Sequence, residues 1–255
     1  MKVVAIIQAR MGSSRLPRKI LMDIAGKPML CRVLERVEVV DSIDEIVVAT
    51  TNEKDDDKLA EFLLEKTCCK VFRGSTHDVL SRFYKCAKLY EADIIVRVTA
   101  DDPLKDPGII SEAINFLYND ADLDYCSNTI KPSYPEGLDI EVIRFSALEK
   151  AYYEARLPSE REHVTPFIWK NSDIFKTMNF EYEIDLSEWR WTVDKEEDME
   201  FMQHVFEEFK NKPLVSYLEV IDFLQKNSHV MDINSGITRN EGYLKSIQME
   251  NNETR

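Results

Sequence analysis

The chain predicts an α/β fold, a mostly parallel sheet with helices on both faces and an inserted lid or dimerisation region. Two observations carry this. Apolar runs of strand length, rich in β-branched residues, alternate with helical periodicity through the first half, and the order is strand, helix, strand, helix, strand. Val3 to Ile7 is the first strand, bounded by polar residues; Glu45 to Thr50 and Asp93 to Thr99 repeat the pattern. Leu30, Val33, Leu34 and Val37 recur at helical steps, as do Leu59, Phe62 and Leu63, and then Val79, Leu80, Phe83, Cys86, Ala87 and Tyr90.

The pattern changes after Pro107. Tyr125 to Thr129 and Leu138 to Ile143 read as short strands, with Pro132, Pro135 and Gly137 between them. Helices are expected over Ser146 to Ala155 and around Glu162 to Trp169. Residues 130–185 thus read as an excursion from the main sheet, either an acceptor lid or a dimerisation arm. Arg190 to Val193 returns as a strand and Lys195 to Phe209 as a helix. A last helix starts near Ser216, which can cap it with Glu219 three residues on. One domain over residues 1–247 is expected, with a frayed polar tail over 248–255. Trp189, Trp191, Phe180 and Tyr182 read as core or dimer packing.

At 255 residues the chain can bury a full core. No apolar stretch approaches the roughly 20 residues that span a bilayer, and no export signal is evident, so a cytoplasmic protein with no membrane partner is expected. Cys31, Cys68, Cys69, Cys86 and Cys126 form no CxxC pair, which suits free thiols in a reducing compartment. A net charge of −14 argues against nucleic acid. The N-terminal stretch nonetheless carries Lys2, Arg10, Arg15, Arg18, Lys19, Lys27, Arg32 and Arg36 against only Asp23, Glu35 and Glu38, which points to one local anion site.

Three places can hold chemistry. The loop after the first strand, Gln8 to Lys19, contains Ala9, Arg10, Gly12, Ser13, Ser14, Arg15 and Lys19. It is neither a Walker loop nor a dinucleotide fingerprint, but side-chain cations and backbone N–H groups around Gly12 can hold phosphates, with Arg10, Arg15 and Lys19 suited to a triphosphate. Asp101 and Asp102 follow the third strong strand, and carboxylates at a strand's end suit Mg²⁺. Asp194 closes the expected strand at Trp191 to Val193, where capping explains it as readily as metal binding. A cationic loop and two strand-end aspartates at one sheet edge supply the parts for nucleotidyl transfer, with Arg10, Arg15, Lys19, Asp101 and Asp194 as catalytic candidates.

The strings IIQARMGSSRLPRKIL, RGSTHDVLSRF, RVTADDPLKDP, YPEGLDIEVI, REHVTPFI and WTVDKEED together span roughly residues 3 to 205. They resemble the cytidylyltransferases that make CMP-activated acidic sugars, above all the spore coat polysaccharide biosynthesis type. The resemblance implies a Rossmann-like nucleotide-diphospho-sugar transferase sheet, a homodimer, CTP as donor, pyrophosphate as product and a small acidic acceptor. It implies Asp101 and Asp194 as Mg²⁺ ligands, and Gly74, Ser75, Asp78 and Arg82 near the nucleoside. Glu136, Asp139, Glu141, Arg161, Glu162 and His163 would face the acceptor or the dimer partner. Arg18 stands where the family has glycine, Ala100 replaces another glycine, and Lys195-Glu196 replaces Thr-Pro. A phosphonate acceptor, a metal-dependent glycosyltransferase and a CTP-binding regulatory domain are the alternatives.

Overall fold

The computed structural model describes residues 1–13 and 15–253. Along the chain run β1 (Val3–Gln8), a small hairpin of β2 (Asp23–Ile24) and β3 (Lys27–Pro28), α1 (Met29–Val37), β4 (Glu45–Thr51), α2 (Asp57–Lys66), β5 (Lys70–Gly74), α3 (Val79–Leu89), β6 (Ile94–Thr99) and α4 (Pro107–Asn119). Then follow β7 (Tyr125–Ser127), β8 (Glu141–Arg144), α5 (Phe145–Glu154), α6 (Pro158–His163), α7 (Pro166–Lys170), β9 (Thr177–Asn179), α8 (Glu196–Glu208), α9 (Tyr217–Lys226), α10 (Ser228–Met231) and α11 (Glu241–Glu253).

Seven strands form one sheet in the order β5-β4-β1-β6-β8-β7-β9. Every pairing in it is parallel except those of β8, which runs against both of its neighbours. Alternate residues of β1 enter different cores. Val3, Ala5 and Ile7 pack with α1, α4 and α8 through residues such as Leu30, Ile114 and Met202, while Val4 and Ile6 pack with Leu80 and Phe83 of α3 and Leu148 of α5. A strand buried on both faces has no polar side to alternate with, which is why VVAII is apolar throughout.

The topology fixes where a ligand can sit. From β1 the chain moves outward to β4 and β5, then crosses back to place β6 on the other side of β1. The loops leaving β1 and β6 therefore diverge, opening a crevice at the strands' C-terminal ends.

Several expectations need correction. Residues 130–185 do not leave the sheet as a whole, since β8 is inserted between β6 and β7 and β9 forms the edge. Arg190 to Val193 is no regular strand. It makes one parallel bridge, Glu136 to Arg190, and the Val193 N–H turns to the Asp101 carbonyl at 2.9 Å, so its hydrogen bonds are split between two neighbours. The helix expected over Glu162 to Trp169 is broken into α6 and α7. Val164 takes φ 73° between them. Pro166 has no N–H to continue the ladder. The polar tail is helical as far as Glu253, not frayed from residue 248. β5 and α4 lie outside the sequence expectation. The aromatic cluster lies in the core: Trp191 and Phe180 are buried, with Trp189 and Tyr182 packed against them.

Glycine is required at position 137. Its φ is +109°, and a Cβ there would lie 2.5 Å from the Trp191 carbonyl carbon and oxygen. Gly137→Ala is expected to cost about 2–3 kcal/mol, read as a lower urea midpoint. An unchanged midpoint would show that the two segments can separate freely.

Candidate active site

The loop after β1 is held down by its apolar residues, which frees its cations. Met11, Leu16 and Ile20 are buried, and the buried Asp56 accepts the Met11 N–H at 2.6 Å and the Thr51 hydroxyl. The Met11 carbonyl accepts from Ser13 N and Arg18 N at 3.0 and 3.1 Å, closing the loop on itself. Arg10 and Arg15 remain exposed, whereas Lys19 turns inward with a side chain only 7% accessible.

Lys19 Nζ donates to Asp101 Oδ2, Asp194 Oδ1 and the Val193 carbonyl, each at 2.7 Å. An ammonium has three donors, and all three are taken. The two carboxylate oxygens therefore lie within twice that distance of each other. Burial works against the charged ammonium, but Asp101 and Asp194 outweigh it and raise its pKa. Burial likewise acts to raise Asp194, yet Lys19, Arg15 and Arg190 hold its carboxyl below the ordinary range. Arg15 completes the cluster at 2.8 Å from Asp194 Oδ1.

Asp194 does not cap α8. That task falls to Asp198, which accepts the N–H groups of Asp194 and Lys195 at 2.9 and 3.0 Å. Asp198 also takes the Arg190 guanidinium at 2.8 and 3.1 Å, and the same guanidinium reaches Asp194 Oδ2 at 3.2 Å and Glu136 Oε2 at 2.5 Å. Arg190 is thus a buried hub that sequence reasoning missed. Asp102, the second carboxylate of its pair, is committed to the buried Lys105 at 2.8 Å and to Thr99.

These groups line one cavity of about 630 Å³ at the crevice that the topology opens. Ala9, Arg10, Ser13, Arg15, Lys19, Arg82, Asp101 and Asp194 border it, as do Glu136, Asp139, Glu141, Glu162 and His163. Gly12 is not among the lining residues; it is exposed, with nothing within 4 Å of where a Cβ would be. Ser14 lies outside the described residues. Gly74 and Ser75 act one step back. A Cβ on Gly74 would approach Arg82 Cγ to 2.9 Å, and the Ser75 carbonyl accepts from Arg82 at 2.5 Å, so both shape the seat of that arginine. Burial, then the nearby Arg10, lowers the Arg82 pKa to about 10, and its Nε has no partner.

Asp78 and Arg161 do not border the cavity. Asp78 caps α3 by accepting Ser81 N at 2.9 Å and pairs with Arg161 at 2.5 Å, tying α6 to α3. At the far end Glu141 accepts from Arg97, from Tyr125 at 2.6 Å and from Thr165 at 2.5 Å; burial opposes its charge, but these partners keep its pKa low. Asp139 is paired with Arg239, while Glu136 accepts Asn240 N at 2.8 Å. Asn240, Glu241, Gly242 and Tyr243 also line the cavity, a wall that the sequence did not announce because its polar residues carry no periodic apolar signal.

The cytidylyltransferase family model matches residues 4–236. The chain belongs to the cytidylyltransferase family. It is 30% identical over 244 residues to the spore coat polysaccharide biosynthesis protein SpsF of Bacillus subtilis, covering 88% of this chain and 95% of that one. It is 40% identical over 124 residues to the 3-deoxy-manno-octulosonate cytidylyltransferase of Geobacter metallireducens, covering 48% and 47% of the two chains. A solved cytidylyltransferase from Leptospira borgpetersenii superposes with TM-score 0.88 at 38% identity, over 94% of this chain and all of that one.

The departures of this cytidylyltransferase from its family's motifs have structural consequences. Arg18 takes φ 62° and ψ 16°, in the left-handed region. A glycine would occupy that region without penalty, so the loop keeps its turn at the cost of strain. Lys195-Glu196 needs no proline, because Asp198 already satisfies the helix start. Arg18→Gly is expected to stabilise the protein by up to about 1 kcal/mol, the relieved strain exceeding the added chain entropy. Chemical denaturation checks this, and a lower midpoint would mean that Arg18 makes a contact worth more than its strain.

His163 Nε2 lies 3.0 Å from Ser246 Oγ, and burial lowers its pKa from the ordinary 6.5 despite nearby Glu162. Below that ordinary value the unfolded chain takes up a proton that the folded protein resists, so stability falls as pH drops through the window beneath it. His163→Gln should flatten the stability profile below about pH 6.5. An unchanged slope would assign the acid sensitivity elsewhere.

Proposed function

We propose that this cytidylyltransferase transfers CMP from CTP to a small acidic acceptor of the sugar type, releasing pyrophosphate, with Mg²⁺ as cofactor. The observation that carries the reading is the Lys19 ammonium held between Asp101 and Asp194, beside Arg15 and under the loop that bears Arg10. The acceptor oxygen forms a bond to the α-phosphorus while the bond to the bridging oxygen of pyrophosphate breaks. Pyrophosphate leaves with the electron pair, and the acceptor's proton passes to solvent. The protein's part is positioning and charge stabilisation. Arg10, Arg15 and Lys19 bind and orient the triphosphate, with Arg82 behind Arg10.

Asp101 and Asp194 suit Mg²⁺: the two carboxylates already share one cationic partner. Hard oxygen donors match that ion. Among the described residues no group of three His, Cys, Asp or Glu side chains is placed to hold a metal alone. When bound, Mg²⁺ neutralises phosphate charge and acidifies an acceptor hydroxyl.

Glu136, Asp139, Glu141, Glu162 and His163 offer the acceptor a hydrogen-bonding wall at the other end of the cavity. The named relatives support a sugar acid and a place in polysaccharide assembly. The five cysteines are free. Free thiols suit a reducing cytoplasm, and by resemblance the working unit is a homodimer.

A pyrophosphate-release screen of the four ribonucleotides against keto-acid sugars, amino sugars and phosphonates tests the reading. Release specific to CTP and a keto-acid sugar is expected. Asp101→Asn and Asp194→Asn should each cut turnover by about 10²–10³-fold with the fold retained by circular dichroism. Lys19→Ala should weaken CTP binding as well as turnover. Wild-type rates in either Asn variant at limiting Mg²⁺ would remove the metal assignment.

A further inference from the structure

The helix α11 lies beyond residue 236, where the match to the family model ends. None of its residues Glu241 to Asn252 is buried, and Leu244 and Met249 are 46% and 65% accessible. Apolar burial is the main force that fixes a helix to a core. Here that force comes from the half-buried Tyr243 and Ile247, with the Tyr243 ring also edge-on to Trp169 at 6.1 Å, and the rest of the hold on α11 is polar. Arg15 Nη1 donates to Glu241 Oε2 at 2.7 Å, Ser246 reaches Glu162 and His163 at 2.9 and 3.0 Å, and Ser159 N donates to Glu250. The Tyr243 ring stands edge-on to His163, with centroids 5.1 Å apart.

The first of these contacts sits in the phosphate-binding loop. Glu241 occupies one arm of the Arg15 guanidinium while Asp194 occupies the other. A triphosphate brings more charge and more acceptor oxygens than one carboxylate, so it competes for Arg15 directly. Glu241 has alternative partners in place: Lys245 at 3.4 Å on its own helix and Lys195 at 4.0 Å. Two arrangements of one carboxylate, on a helix with no fully buried residue, form a two-state element that a ligand can shift. The residues next to Glu241 wall the acceptor end: Asn240 N donates to Glu136, and Gly242 and Tyr243 line the cavity.

We propose that α11 is a latch opened by the nucleotide. Without nucleotide, Glu241 holds Arg15 and keeps the 240–246 segment over Glu136 and His163. A triphosphate on Arg15 releases Glu241 to Lys245 and Lys195, and the loosened segment admits the acceptor. Nucleotide therefore binds first. The proposal rests on the reading that Arg15 takes nucleotide phosphates.

Hydrogen exchange of the full chain, titrated with CTP and separately with inorganic tripolyphosphate, tests it together with Glu241→Gln. Saturating CTP should raise exchange across residues 242–250 while protecting the loop after β1. Glu241→Gln should show the raised exchange without ligand and bind CTP about 2- to 5-fold more tightly, the scale of one partly exposed ion pair. CTP binding that leaves α11 exchange unchanged or slower, with Glu241→Gln at wild-type affinity, overturns the latch while sparing the cytidylyl-transfer reading. Release of α11 by tripolyphosphate without CTP binding sinks the nucleotide assignment and, with it, the nucleotide as the trigger of the latch. Failure of both anions to bind overturns the latch as well.

Discussion

One buried ammonium organises this molecule. Removing a lysine from water costs several kcal/mol unless every donor finds a partner. Lys19 meets that condition only if three segments remote in sequence converge: the loop after β1, the end of β6 at Asp101, and the Val193–Asp194 stretch before α8. The convergence is supported from below by Val193 N on the Asp101 carbonyl and by Gly137, whose missing side chain lets the chain pass against Trp191. A packed core could tolerate small errors in these loops; the ammonium cannot, because losing one partner leaves a charge unmatched in a partly dry site.

Arg190 extends the same constraint across the cavity. Its guanidinium touches Asp194 beside Lys19 at one end of the cavity and Glu136 at the other, with Asp198 fixing its plane. Burial opposes its charge, but Asp198, Glu136 and Asp194 outweigh that and raise its pKa. The two ends of the cavity thus share one rigid cation, and Asn234 braces it further by bonding Asp198 and the Arg190 carbonyl, each at 3.0 Å. Geometry at Asp194 and Glu136 is set jointly rather than loop by loop.

Much of this is legible in the sequence, and the gaps have physical causes. β1, β4 and β6 are central strands with both faces covered, so their apolar runs are unmistakable, and the loop cations and Asp101 follow from where those strands end. β5 is an edge strand whose KVFRG stays half-exposed, leaving no such run. The functional weight of Arg190 is hidden because its partners lie 4, 8 and 54 residues away and only the fold unites them. Arg161 misleads for the converse reason: a partner 83 residues distant, Asp78, claims it before any ligand could. The strand expected at Arg190 to Val193 fails where hydrogen-bond demand from two neighbours overrides local β-preference.

Charge completes the account. A chain of net charge −14, if it binds the polyanion proposed for it, presents repulsion over most of its surface and a cationic loop that would be unstable if left bare. The protein uses its own carboxylates as placeholders, with Asp101, Asp194 and Glu241 neutralising Lys19 and Arg15. Arg10 and Arg82, by contrast, have no carboxylate within ion-pairing distance among the described residues. On the proposed reading, ligand phosphates arriving at Arg10 and Arg82 would meet uncompensated charge, whereas at Arg15 and Lys19 they would exchange with groups already bound. Exchange replaces one ion pair by another and so avoids leaving a cation in a partly dry site without a partner. On that same reading, the exposed Arg10 would supply the initial attraction and the compensated Arg15 and Lys19 the selectivity, since only a ligand with enough charge and the right reach can displace the protein's own carboxylates.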